Sequence, residues 1–191
     1  MAKHQIKERS LKIIGGEWRS RVIDFAEDKT IRPTPVRIRE TLFNWLQLSV
    51  PGARCLELYC GSGILSIEAL SRGAKHVTMI DQSREAISKV KQSLKELSAD
   101  PARYHCEQAF AQNWLSQENS LFDIIFLDPP FESPELESLL PLIKSKHLLS
   151  EDGFIYIESP QAILAETLPE GWTIYRNKKA AKVHYCLITK L

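Results

Sequence analysis

Cysteine is sparse and never paired: Cys55, Cys60, Cys106 and Cys186 are widely spaced, with no C-x-x-C and no clustered histidines. That spacing argues against zinc and against a disulfide framework, so reduced thiols are expected. Three of the four fall in or beside apolar strand-like runs, where a free cysteine behaves as a small hydrophobe. The chain also lacks any apolar run of membrane-spanning length and any charged-then-apolar leader. The expectation is a soluble, unsecreted, cytoplasmic protein with no membrane partner. Internal repeats and low-complexity tracts are absent, and 43% apolar content over 191 residues argues for one real core rather than disorder. Strong net charge is missing too, at only +1. Its distribution is uneven: residues 1–40 hold ten Lys and Arg against six Asp and Glu, and the remainder fifteen against eighteen. The basic front suggests contact with a polyanion, or simply a solvated charged face.

Along the chain, residues 11–25 read as a β-hairpin around a turn that contains Gly15 and Gly16. Thr34 can cap a helix with Pro35 at its first position, and Ile38, Leu42, Trp45 and Leu46 recur at helical spacing as a buried stripe. Arg32, Arg37 and Arg39 beside that stripe are either solvated or nucleic-acid contacts. From residue 53, apolar runs at 53–59, 76–81, 103–107, 122–127 and 153–158 alternate with helical patterns near 64–72, 83–97, 109–116 and 134–146. That alternation predicts βαβ units and a parallel sheet. Residues 172–176 and 183–189 read as two strands joined by Asn177–Lys182, a closing antiparallel hairpin.

Two turns carry the chemistry. The run Leu121–Leu127 has the pattern of a strand buried on both faces and stops at Asp128-Pro129-Pro130-Phe131. Two prolines leave a stiff backbone with free carbonyls, so Asp128 and the Pro129 carbonyl could accept both hydrogens of a planar exocyclic amine while Phe131 stacks on its ring. A Pro-Pro turn with a core Phe is the plainer alternative. The second turn, Gly61-Ser62-Gly63 after the strand carrying Glu57, allows a ligand to approach the backbone at a helix N-terminus. Ser66 stands where a dinucleotide fingerprint would place its third glycine, which weakens a nicotinamide reading. Asp81, ending the next strand, suits ribose hydroxyls or, equally, a helix N-cap.

Glu57-x-x-x-Gly61-x-Gly63, Asp81 and Asp128-Pro129-Pro130-Phe131 together resemble the class I S-adenosylmethionine-dependent methyltransferases. The resemblance implies an α/β Rossmann-like fold, a seven-stranded mostly parallel sheet with one antiparallel strand. Ile13-Ile14-Gly15-Gly16-x-Trp18-Arg19, Arg32-Pro33-Thr34, the run Arg39–Leu46 and the run Glu68–Ala74 are similar to the RsmD family. By that resemblance residues 1–50 form a basic hairpin-and-helix extension and residues 51–191 the methyltransferase domain. The activity implied is methylation of the exocyclic N2 of a guanine in 16S ribosomal RNA, guanine 966 in the usual numbering. The same resemblance puts Glu57 and Gly61-Ser62-Gly63 at the methionine end of S-adenosylmethionine, Asp81 at its ribose, and Asp128, Pro129, Pro130 and Phe131 at the base. Gln108 stands where many such enzymes carry an Asp for the adenine amine, and Val36 replaces an Asp of the family pattern.

A single basic arm on a +1 chain can neutralise few phosphates. The expected substrate is therefore a protein-bearing small-subunit particle, met by a monomer, with Lys12, Arg19, Arg21, Arg32 and Arg39 as candidate phosphate contacts. A nicotinamide oxidoreductase leaves Asp-Pro-Pro-Phe without a role, and an assembly factor without turnover leaves the glycine turn and Asp81 unexplained.

Overall fold

In the computed structural model, which describes residues 9–25, 33–130 and 135–191, seven strands form one sheet. Strand β1 (Arg9–Lys12) pairs with β2 (Val22–Phe25) in a separate antiparallel ribbon, followed by helix α1 (Val36–Trp45). The alternating region then gives β3 (Arg54–Leu58), α2 (Ile64–Ser71), β4 (His76–Asp81), α3 (Arg84–Glu96), β5 (Tyr104–Gln108) and α4 (Ala111–Gln117). It continues with β6 (Phe122–Leu127), α5 (Glu135–Ser145) and β7 (Leu149–Ser159), and the chain closes with β8 (Trp172–Ala180) and β9 (Val183–Lys190). Sheet order is β5-β4-β3-β6-β7-β9-β8, and β9 alone runs against its neighbours. The expected α/β fold is what the chain adopts.

The order of the strands positions a ligand. The chain builds outward from β3 through β4 to β5, then returns to lay β6 and β7 on the other side. The gap beyond the carboxyl ends of β3 and β6 is thus a topological switch point, where open α/β sheets bind their ligands. Each face of the sheet has its own core. Cys55, Phe126, Tyr156 and Leu187 lie on the face with α1, α2 and α3, while Leu58, Leu127, Ile157 and Ile188 lie on the face with α4 and α5.

Three local expectations need correction. The front hairpin does not close through a tight turn: Lys12 pairs with Val22, and residues 13–21 make a loop laid on the end of α2. Gly16 there has φ 76°, and a Cβ on it would fall 1.9 Å from the Ser71 carbonyl oxygen, so only glycine allows this approach. Thr34 does not cap α1. Pro35 occupies the cap position with no side-chain bond, and the Thr34 hydroxyl instead donates to Glu158 Oε1 at 2.7 Å. At the other end β8 extends to Ala180, which leaves only Ala181 and Lys182 as the hairpin loop, Ala181 with positive φ.

Candidate active site at the carboxyl rim of the sheet

The rim on the switch point has two halves. On the first, β3 ends in Tyr59 and Cys60 and turns through Gly61, Ser62 and Gly63 into α2. Gly63 is the α2 N-cap with φ 68° and offers no side chain; a Cβ there would come within 2.9 Å of Val90 on α3. Capping comes from the strand instead: Glu57, 5% exposed, accepts the Ser66 N–H through Oε2 at 3.0 Å. Burial pushes the Glu57 carboxyl up to about 7, hydrogen bonds from Ser66 oppose that, and the Asp81 charge adds to it. Asp81 at the end of β4 accepts the Gly61 N–H through Oδ2 and the Ser83 N–H through Oδ1, both at 2.8 Å. Ser83 itself caps α3, through Ala86 N–H. A carboxylate has about four acceptor sites, so Asp81 keeps capacity for hydroxyl donors. Gln108 pairs in register with Asp81, is exposed, and donates through Nε2 to the Gln82 carbonyl. Ser62 is buried in the turn.

The second half is built by β6 and β7. Leu127 pairs with Ile157, so Asp128 and Glu158 follow side by side one residue further on. Asp128 is half-buried, Pro129 buried and Pro130 exposed; Phe131 lies outside the described residues. Desolvation, then the Glu158 charge and then that of Glu57, hold the Asp128 carboxyl well above the ordinary range. Glu158, 3% exposed, is also raised by burial, against hydrogen bonds from Thr34 and from the Tyr156 hydroxyl, which donates to Oε1 at 2.9 Å. A cleft of about 440 Å³ opens beside this half, lined among others by Pro129, Pro130, Glu158, Ser159 and Pro160. The larger cleft, about 610 Å³, lies at the opposite ends of the strands by Leu149, Trp172 and Lys190, away from all of these groups.

Sequence reasoning missed Glu158, although it ends an apolar strand run as Asp128 does. Tyr59 was missed as well. It holds φ 60°, and its hydroxyl is hydrogen-bonded to Glu135 at the start of α5, tying the glycine turn to the far side of the Pro-Pro turn. A non-glycine residue in that conformation is a local strain that the surrounding structure must hold.

Among the proposed phosphate contacts the structure separates the residues. Arg39 is corrected: it is fully buried, with Nη1 on Glu68 Oε1 at 2.9 Å and on the Lys12 carbonyl at 3.0 Å, and Nε on the Thr34 carbonyl at 3.1 Å. It fastens the front segment to α2. Arg21 donates to the Glu96 and Leu97 carbonyls at the end of α3, where a cation answers the helix dipole. Lys12 and Arg19 are exposed, and Arg32 lies outside the described residues.

A sheet of this order with a single reversed strand, its ligand edge divided between a glycine turn and an Asp-Pro-Pro turn, is that of a class I methyltransferase. Solved structures share the architecture: yhhF from Escherichia coli superposes with TM-score 0.87 at 35% identity, covering 95% of this chain and 98% of that one. SMU.776, solved as a complex with SAH, shares the fold alone, at TM-score 0.72 and 14% identity over 89% of this chain and 53% of that one. The chain belongs to the RsmD family, described as "Conserved hypothetical protein 95", whose match spans residues 11–189. It is 37% identical to Ribosomal RNA small subunit methyltransferase D of Escherichia coli strain K12, over 93% of this chain and 88% of that protein.

Proposed function

We propose that this chain moves the methyl group of S-adenosylmethionine to the exocyclic N2 of a guanine in 16S ribosomal RNA, guanine 966 by its family. It acts in the cytoplasm, as a monomer, on the small ribosomal subunit. The observation that carries the reading is the divided rim: a glycine turn with an acid at the end of the next strand faces, across the switch point, a carboxylate followed by two prolines. The similarity to Ribosomal RNA small subunit methyltransferase D supports the RNA substrate.

The residues of the first half fit the cofactor. Asp81 would take ribose hydroxyls, and Glu57, whose Oε2 is committed to α2, would meet the methionine ammonium through its other oxygen. Gln108 offers its amide oxygen to the adenine amine. When bound, S-adenosylmethionine supplies a methyl group on a sulfonium, so the protein's task is positioning and polarisation. Guanine N2 is a poor nucleophile because its lone pair is conjugated with the ring. Asp128 and the Pro129 carbonyl, accepting the two N–H groups, favour a pyramidal nitrogen and stabilise the positive charge that develops on it. Asp128, with Glu158 beside it, would be the acid placed to take the proton that the amine gives up on methylation. N2 of a paired guanine faces the minor groove, so the base must first leave its helix before Asp128 can reach it. Mapping methylated guanines in ribosomal RNA from cells with and without the gene tests this: one N2-methylguanine should vanish from the small-subunit RNA, and an unchanged map refutes the assignment.

A further inference from the structure

Between Trp172 and Leu191 the chain contains no Asp or Glu, yet it carries Arg176, Lys178, Lys179 and Lys182 around the tip of the last hairpin. All four are exposed. The register places them close to the site. Tyr185 pairs with Glu158 on one side and with Lys178 on the other, and His184 pairs with Ser159 and with Lys179. Asp128, Glu158, Tyr185 and Lys178 thus form one row across four strands, about 14 Å from end to end at the usual strand spacing. That is a few nucleotides of stacked strand, at roughly 3.4 Å per step.

The edge strand is also bent on the same stretch. Ile174 pairs with Ile188 and Arg176 with Leu187, so Tyr175 is the extra residue of a β-bulge, the device that re-aims side chains at a sheet edge. Tyr175 packs on Phe154 of the α1 face with ring centroids 5.2 Å apart, stays 51% exposed, and has the Arg176 guanidinium 5.3 Å from its ring centre. Charges on an edge strand commonly serve only to prevent edge-to-edge pairing. That role is met by either sign and does not need an exposed ring; here the sign is uniform, and the charges gather at the end of the strand nearest the acids.

We propose that the β8–β9 hairpin is an RNA-binding surface, with Arg176, Lys178, Lys179 and Lys182 on phosphates and Tyr175 stacking on a base of the strand that flanks the target nucleotide. The proposal rests on the RNA methyltransferase reading and names the surface that holds its substrate. The front arm, with Arg39 buried and Arg21 bound to a helix end, leaves fewer cations for that task than its sequence shows.

The test compares Lys178→Ala/Lys182→Ala with Lys75→Ala/Lys95→Ala, which removes two exposed cations at the opposite ends of the strands. Binding to a protein-free small-subunit rRNA fragment is followed by anisotropy over a salt series beginning at low salt. The hairpin variant should bind more weakly, and its slope of log K against log salt should fall by about 0.7–0.9 per lost contact, while the control stays at the wild-type slope. Tyr175→Leu should weaken binding about fivefold or more with the slope unchanged. Melting temperature and S-adenosylmethionine affinity should not move in any variant. If wild type methylates small-subunit particles while the hairpin variant keeps wild-type RNA affinity and slope, the hairpin proposal is overturned and the function stands. Wild type that binds S-adenosylmethionine but methylates no ribosomal RNA overturns the function, and the hairpin proposal with it.

Discussion

The two halves of the rim hold acids in opposite ways. On the β3–β4 half, Asp81 and Glu57 spend oxygens on the N–H groups of Gly61, Ser83 and Ser66, so each acid also fixes the loop that a ligand would touch. On the β6–β7 half, Asp128 and Glu158 sit side by side, and the donors identified there are the hydroxyls of Thr34 and Tyr156 on Glu158. Backbone amides cannot be removed by changing a side chain, so the loop geometry of the first half is fixed by the protein itself. In the second, burial favours the protonated form of both acids until donors and positive charge arrive. An arrangement that costs stability without its partner and gains with it is suited to a reacting centre rather than to binding alone.

The largest effect should come from the half under strain. Asp128→Ala is expected to lower single-turnover methyl transfer to small-subunit particles by roughly a hundredfold or more, the scale for one preorganised polar group, with S-adenosylmethionine affinity by calorimetry nearly unchanged. Near-normal turnover would erase the distinction between the halves. Next is Asp81→Ala on the β3–β4 half. Losing hydrogen bonds that hydroxyls donate to a carboxylate costs about 1.5–3 kcal/mol, which is one to two orders of magnitude in cofactor affinity, and turnover should recover at saturating cofactor. Unchanged affinity in the titration would reduce Asp81 to a loop tie.

The smallest effect is the most discriminating. If Asp128 accepts the amine as a carboxylate, turnover must fall as pH drops through its raised pKa. Glu158 and Glu57 are the negative groups that raise it after burial. Glu158→Gln removes one of those charges, so the acid limb of the pH–rate profile should shift to lower pH. An acid limb that stays in place or moves upward would show that the two acids do not act on one another.

The geometry of the β3–β4 half was legible because it is local. Gly61 and Gly63 announce a tight turn, and Asp81 ends an apolar run; the strand runs likewise foretold the order of elements from β3 to β7. The second half is assembled from residues distant in the chain, and there the reading was incomplete. Thr34 looks like a helix cap because Pro35 follows it, but its partner Glu158 is 124 residues away. Arg39 looks like a surface cation, although Phe43 and Leu46 share its stripe of α1 at helical spacing and are fully buried; a cation on an apolar stripe already asks for a buried acid, which is Glu68. Hairpin lysines were hidden by the net charge of the chain, because acids elsewhere cancel them in a sum but not in space.

The Thr34–Glu158 bond, together with the stack of Trp45 on Tyr185 at 5.5 Å, also bears on the time course of folding. Segments far apart in the chain are fastened to one another by these two contacts. During folding, Ile38, Leu42 and Phe43 must wait for α2 and the sheet before they are covered, and Glu158 lacks its threonine donor until β7 is in place. Contacts so far apart in the chain form slowly because a long loop must close before they contribute. The β6–β7 side of the rim is therefore expected to be completed later in folding than the glycine turn, whose partners lie close to it in the chain.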